Sequence, residues 1–582
     1  AYQAMKQKIV ISKRTNCIIG LGLLLSVVYL YFHQYSFISK TQPQAISRFL
    51  SKFSILSVLG IAAVTCFIFY AYWEKSQKSQ LEKMIRMALA AVFLVLAAVL
   101  LKTGYLLSQV GITAMLYLSI LFILNFKISR LSMIVVSVLT IFEFGYNAYL
   151  SQVTFGYDDV HKFADATVSV KRVTDNIQEN ADQKFYRIAT DFAYSRTVPS
   201  LVSYPGLSTF SSSLERSTMD HFAFMGDLGV NAATQYSNGT PLTDALYGVR
   251  YFMSAKDFDP KEIEANPDKM YFYRFTDRFD LHRYFTDKVY EDKRYVVYKN
   301  PNSFPLAYGT NSLVRNIQFG ANNAFANQNI ILNSMEGHQK ANNDTVEYFK
   351  PLAFSSIETE NVIEEKVNKE TGEAIYKRAD SSKDAIIRYK VTPRTNYTYY
   401  FFTPVSLIQN QDYSVLLNNK WLLNAKIFTQ RQIWQLTDQT ENQETVIEFR
   451  FRTDHIDMSN AGVYRADVDQ IQQVLENRKK QGLQVTKFSN THIVGDVSIT
   501  DDSNYMMTSI PYSDGWKVKV DGKFVKTEKA WNAFLSFPIS KGNHKVEFVF
   551  RQKGVILGAL LSIVSVAYLV IQMRRSRSDE EQ

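Results

Sequence analysis

The stretch Lys541-Gly-Asn-His-Lys-Val-Glu-Phe-Val-Phe-Arg551, followed past Gly554 by the apolar run Val555–Met573, decides how the chain is read. Val546, Phe548 and Phe550 recur at every second residue, the period of a strand with one face buried. The run beyond Gly554 suits a membrane-crossing helix, which needs roughly 20 apolar residues to cover about 30 Å of hydrocarbon. A β unit is thus joined to a membrane anchor with almost no linker. Upstream, Trp516, Val518 and Val520 alternate into an Asp521-Gly522 pair, a hairpin turn signal.

Working outward, five more apolar segments lie at 17–37, 53–73, 84–101, 105–126 and 131–150, so six spans are expected. Lys6, Lys8, Lys13 and Arg14 precede the first, and Lys75, Lys78, Lys83 and Arg86 lie around the second and third. Lys127 and Arg130 separate the fourth and fifth, and Arg574, Arg575 and Arg577 follow the last. If all six segments span, every one of these clusters falls on one side, which the positive-inside rule makes cytoplasmic. Ser151–Lys553 is then outside.

The chain has 582 residues and a net charge of +10. Its basic residues largely flank apolar segments, which argues for membrane topology and against nucleic acid as a partner. Cys17 and Cys66, the two cysteines, both lie in apolar blocks, so the outer region carries no disulfide. A bacterial origin fits that composition.

The outer region mixes helix and strand signals at 151–348, with a helix expected over Asp165–Gln183 and short strands at Phe185–Ala189 and Val249–Met253. From 349 to 466 the period is two, in Ile386–Val391, Tyr397–Phe402, Tyr413–Leu417 and Val446–Arg452. A helix follows, capped by Asp467 with Gln470 three residues on and ended by Gly482, before the C-terminal β segment up to 552. The fold expected is a polytopic α-helical membrane bundle of six spans, bearing a large extracytoplasmic α+β region that ends in β-sandwich-like units.

The run Ser509-Ile-Pro-Tyr-Ser-Asp-Gly-Trp-Lys-Val-Lys-Val-Asp-Gly-Lys523, with Lys541–Arg551 and the span after it, resembles the C-terminal signature of the YfhO family of bacterial membrane proteins. Phe185-Tyr-Arg-Ile188, the Tyr204–Ser213 loop, Leu246-Tyr-Gly-Val-Arg-Tyr251 and Tyr298-Lys-Asn-Pro301 with Pro305 fit the same family in order. The resemblance implies a GT-C type glycosyltransferase that moves a sugar from a polyprenyl-phosphate carrier to an anionic wall polymer such as teichoic or lipoteichoic acid. It also implies further spans ahead of Ala1, with the main catalytic acid in a first outer loop there.

Such a transfer needs a carboxylate to deprotonate an acceptor hydroxyl, and cationic or metal stabilisation of the departing phosphate. Glu143 and Asn147 stand one helical turn apart in the fifth predicted span, where an ionisable residue is expensive and calls for a protein or wet environment. Glu143 is a catalytic candidate and Asn147 a substrate ligand; the competing reading is a helix-packing hydrogen bond. Asp158 and Asp159 follow that span as further catalytic candidates, with His161 beside them as a substrate ligand. Together they suit a divalent cation, the one cofactor this chemistry suggests, against a plain solvated loop with a helix cap. Arg187, Arg196 and Arg250 are candidates for phosphate contact through the bidentate guanidinium fork, weighed against ordinary ion pairing. Tyr204, Ser211 and Ser213 offer aromatic and hydroxyl groups to a sugar or polymer, or form a structural turn.

Asp257–Asp259 and Asp467–Asp469 have the Asp-x-Asp spacing of nucleotide-sugar metal sites. Helix capping explains the second, a turn before Pro260 the first, and both are set aside. No zinc-ligand spacing, Gly-rich phosphate loop or Gly-x-Ser-x-Gly elbow occurs. The rival to an enzyme is a non-catalytic, membrane-tethered carbohydrate-binding or assembly subunit. A transporter is weaker, because few polar residues lie within the predicted spans.

Overall fold

The structure, a computed structural model, describes residues 160–580 apart from internal stretches such as 257–272, 404–412 and 423–432, with isolated helical positions between 134 and 152. The predicted spans at 17–37, 53–73, 84–101 and 105–126 lie outside the described residues, as does most of 131–150. The chain divides into Ala1–Asp158 and Asp159–Gln582, and the architecture that follows belongs to the second unit.

A six-span helical bundle is not the class of this fold. The described chain is dominated by β-sheets, and one helix in it, Val555–Glu580, holds a segment long and apolar enough to cross a membrane, Val555–Gln572. The bundle expectation weighed apolar blocks, whereas most of the described chain is short-period sequence that satisfies its backbone by pairing strands.

The unit opens with the helix Val160–Glu179. Ala166, Val170, Val173 and Ile177 recur every three or four residues, so one stripe is apolar and packs on a sheet. That sheet runs in the order Arg187–Thr190, Val249–Ala255, Tyr295–Lys299, Asp287–Glu291, with the first pair parallel and the rest antiparallel. Ser169 on the helix reaches the Tyr295 hydroxyl at 3.0 Å across the contact.

Two antiparallel sandwiches follow. In the first, Phe349–Leu352, Gly462–Asp467, Tyr397–Phe402 and Ile433–Thr437 face a five-stranded sheet containing Ala385–Val391 and Thr445–Phe451. Phe401, Trp434 and Phe449 stack between the layers at 5.5–6.3 Å. In the terminal sandwich, Ala307–Thr310, Tyr505–Pro511, Phe534–Pro538 and Glu528–Ala530 face a sheet ordered Gln484–Phe488, His492–Ile499, Gly542–Phe550, Trp516–Val520, Lys523–Val525. Its core joins Met506, Leu535 and Phe537 to Val518, Val546 and Phe548. Asp521 and Gly522 both take positive φ, 50° and 80°, as the two-residue hairpin turn requires.

One sheet of each sandwich is buried on both faces. Phe401 points into the first sandwich while Tyr400 and Phe402 point into a third, central core. Met506 and Leu535 enter the terminal sandwich while Tyr505, Met507 and Phe534 enter that same central core. This core is filled by the helices Arg216–Met225, Pro241–Leu246, Ala324–Glu336 and Val468–Lys480. It explains why Tyr397–Phe402 reads as an almost continuous aromatic run. Asp467 caps the last of these helices, accepting from the Gln470 amide at 3.4 Å.

Candidate functional site

The Tyr204–Ser213 loop is held to the mixed sheet through Ile188 and, farther along, to the strand Ala233–Gln235 of a separate three-stranded sheet. Val198–Val202 forms a short helix with Pro199 in its first turn, and Ser203 ends it in the left-handed region at φ 61°. The chain then doubles back: Tyr204 N donates to Pro199 O at 3.0 Å, and Pro205 O accepts from Ile188 N at 2.8 Å. Gly206 lies so close to Pro199 that a Cβ there would sit 2.4 Å from the ring Cγ. Glycine is needed because the loop packs onto the helix it has just left. Beyond it, Thr234 Oγ1 donates to Leu207 O at 2.9 Å, Tyr236 N to Ser208 Oγ at 3.3 Å, and Ser211 N to Ala232 O at 2.8 Å.

What this frame presents outward is an aromatic and hydroxyl surface. Leu201 and Phe210 are exposed, at 44% and 50%, although both are large and apolar. The Ser211 and Ser213 hydroxyls share a hydrogen bond of 2.9 Å at the surface. Tyr204 is different: its ring is buried in the core beneath the helix Val160–Glu179, and burial pushes its hydroxyl pKa up. It acts as the root of the loop, not as a surface ligand. Phe163, near the start of that helix, meets Tyr194 edge-on at 5.8 Å in the same neighbourhood.

Glu143, Asn147, Asp158 and Asp159, like Asp257–Asp259, lie outside the described residues. His161 is exposed in the first turn of the helix Val160–Glu179. Arg187 and Arg250 are not brought to the loop's outer surface. Arg187 donates to Tyr247 O at 2.6 Å and Ser509 O at 3.0 Å, tying the mixed sheet to the terminal sandwich. Burial lowers its pKa to about 10, which still leaves it charged at neutral pH. Arg250 binds Asp182 at 2.5 Å and Asn300 O at 2.8 Å. Burial would raise the Asp182 pKa, but the hydrogen bonds from Arg250 and Lys299 outweigh it and hold the carboxyl well below the usual range.

Two buried polar groups escaped the sequence reading. Arg278 binds Asp244 at 2.7 Å and Asp280 at 2.8 Å with all three side chains closed to solvent, and Tyr236 donates to Asp244 at 2.7 Å. His221 stands among the rings of Tyr247, Phe319, Trp531 and Phe534, the last 4.7 Å away. No sequence spacing marks either group: Asp280 lies two residues from Arg278, but Asp244, Tyr236 and the rings around His221 come from separate elements. Among the described residues no group of His, Cys, Asp and Glu is arranged to hold a metal ion.

The comparisons bear on what this surface belongs to. Over 121 residues the chain is 26% identical to a Bacillus subtilis (strain 168) protein named "Uncharacterized protein YfhO". That match covers 21% of this chain and 14% of the relative's length. A crystal structure of a conserved protein of unknown function, PA5104 from Pseudomonas aeruginosa PAO1, aligns with 35% of this chain and 93% of its own. Its identity is 7% and its TM-score 0.12, too low to bear on the fold. The family model described as "Bacterial membrane protein YfhO" matches residues 1–562, nearly the whole sequence, and the chain belongs to that family of bacterial membrane proteins.

Proposed function

We propose that this chain is an envelope glycosyltransferase, or the C-terminal part of one, which passes a sugar from a polyprenyl-phosphate donor to an anionic wall polymer such as teichoic or lipoteichoic acid. The β-rich unit, extracytoplasmic on this reading, holds the acceptor. Family membership supports the membrane setting. The observation that carries the acceptor role is the loop surface of Phe210, Ser211 and Ser213. An exposed aromatic beside exposed hydroxyls, on a backbone hydrogen-bonded at several points, is suited to a sugar or polyol chain: the ring gives an apolar contact, and the hydroxyls donate and accept. The loop arrives largely preformed, which limits the ordering entropy lost on binding.

The test is genetic and chemical. Deleting the gene should remove one sugar substituent from a wall polymer, read by mass analysis of the purified polymer. Complementation with Phe210→Ala/Ser211→Ala/Ser213→Ala should restore the protein to the membrane but not the full substituent level. A deletion strain with unchanged polymer glycosylation overturns the assignment. Full restoration by the triple variant removes the loop from it.

A further inference from the structure

The strand Gly542–Phe550 runs toward the membrane anchor. Phe550 N still donates to Thr491 O at 2.8 Å, and Arg551 N to Gly515 O at 2.9 Å, so the ladder holds as far as Arg551. Only Gln552, Lys553 and Gly554 separate it from the helix that begins at Val555. Three extended residues reach at most about 10 Å. The headgroup layer is itself roughly 5–8 Å thick on each side of the hydrocarbon. The rim formed by Ser489–Thr491, Tyr512–Trp516 and Arg551–Lys553 therefore cannot stand far from lipid while that helix crosses.

Its chemistry matches that position. Trp516 packs on Phe550 with ring centroids 5.1 Å apart and stays partly exposed, and Tyr512 is likewise half-buried. Trp and Tyr favour the water–lipid interface, where an apolar ring and a polar edge are both satisfied. Lys487, Lys517 and Arg551 are exposed around them. Lys553 adds a fourth cation, held by Asp514 at 2.6 Å, and in the cross-strand row of Lys487 the chain carries Lys519 paired with Glu547 at 3.0 Å.

We propose that this rim is a lipid-docking surface that binds anionic phospholipid headgroups and so fixes the terminal sandwich upright on the bilayer. Basic residues held near an anionic surface are attracted to it, and Lys487, Lys517, Lys519, Arg551 and Lys553 against Asp514 and Glu547 leave this rim net positive, which biases the orientation of a tethered domain. The inference does not depend on the glycosyltransferase reading. It requires only that the last helix crosses the membrane.

The experiment uses the full chain in lipid nanodiscs, with Cys17→Ser and Cys66→Ser as background. Spin labels are placed at Asn490→Cys on the rim or at Asn543→Cys, seven residues back along the strand from Phe550 and roughly 23 Å from it. A trace of nickel-chelating lipid reports proximity to the headgroups. In phosphatidylglycerol discs the rim label should relax roughly threefold or more faster than the distal label. The contrast should shrink in phosphatidylcholine, and equally in phosphatidylglycerol with Lys517→Gln/Arg551→Gln/Lys553→Gln. Equal relaxation at the two positions overturns the proposal. So does a rim signal that is the same in both lipids, since that describes a tether without headgroup binding; the lipid comparison on the unaltered rim stands even if the triple variant folds poorly.

Discussion

The Arg278 guanidinium lies 2.7 Å from the Asp244 carboxylate with both side chains shut off from water, and it also holds Asp280 at 2.8 Å. Phe252 closes one side, with the Arg278 guanidinium carbon 4.9 Å from its ring centre. The backbone amide of Asp280 donates to Gln435 of the first sandwich at 3.2 Å, so the cluster joins that sandwich to the central core. Burial disfavours every charge here, but two carboxylates around one guanidinium drive the Arg278 pKa well above its usual value and keep it charged.

Arg278→Met should therefore be among the most damaging single changes. It strands two buried carboxylates, and breaking a buried pair by removing one partner costs about 3–5 kcal/mol. Chemical unfolding in detergent should show the loss. A midpoint shifted no more than that of a surface substitution would show that the cluster is not closed as described.

His221 gives a prediction with a sign in pH. Burial lowers its pKa to about 3 from an ordinary value near 6.5. Its native state is thus neutral where the unfolded chain binds a proton. The stability tied to His221 is fully present above about pH 6.5 and falls as pH drops toward 3, by up to roughly 1.4 kcal/mol per unit. His221→Phe should keep most of the ring packing and flatten that part of the stability–pH curve between 6.5 and 4. An unchanged acid slope would mean that the imidazole finds a proton partner in the folded state.

Asp182 acts in the same direction at lower pH. Its carboxyl, held ionised by Arg250 and Lys299, contributes stability above the unfolded-state value near 3.9 and loses it as pH falls further. It is 39% exposed, so Asp182→Asn should cost little at pH 7, about 1 kcal/mol or less. What should be seen is a smaller stability loss between pH 4 and 2.5 than in the parent, measured by the same unfolding assay.

How much of this was legible follows from where each signal lives. The strands Tyr397–Phe402 and Tyr413–Leu417 were readable to the residue, because alternation and turn chemistry are local. That the first is buried on both faces was not, since its second face is covered by elements distant in sequence. The helix Val160–Glu179 was found four to five residues late, its N-terminal turns being mostly exposed. The helix Ala324–Glu336 was missed for a physical reason. Its buried side carries Asn327, Gln328 and Asn333, whose amides bind Phe224 O, Met225 O and Val346 O, so the core face does not read as apolar. In the candidate site, the Tyr204–Ser213 loop was visible as a cluster of turn-formers and hydroxyls. The inward turn of Tyr204 and the exposure of Phe210 depend on contacts with Ile188 and Ala232 that no local pattern encodes.

Gly206 offers the sharpest test of that loop. A methyl group there meets the Pro199 ring at 2.4 and 2.7 Å and the Tyr204 ring at 2.9 Å, all far inside van der Waals contact. Proline has no rotamer to yield with, and Tyr204 is buried, so the loop itself must move away from Ile188. Gly206→Ala should cost about 1–3 kcal/mol, the usual penalty for overpacking a filled site. The hydrogen bond from Ile188 N to Pro205 O should weaken with it, read as faster amide exchange at Ile188 than at its sheet neighbour Tyr251. If the loop holds the acceptor, this variant should lower polymer glycosylation while leaving the terminal sandwich as protected from exchange as before. Unchanged exchange at Ile188 would show that the loop accommodates the methyl group without leaving the sheet, and the packing described for Gly206 would then be wrong.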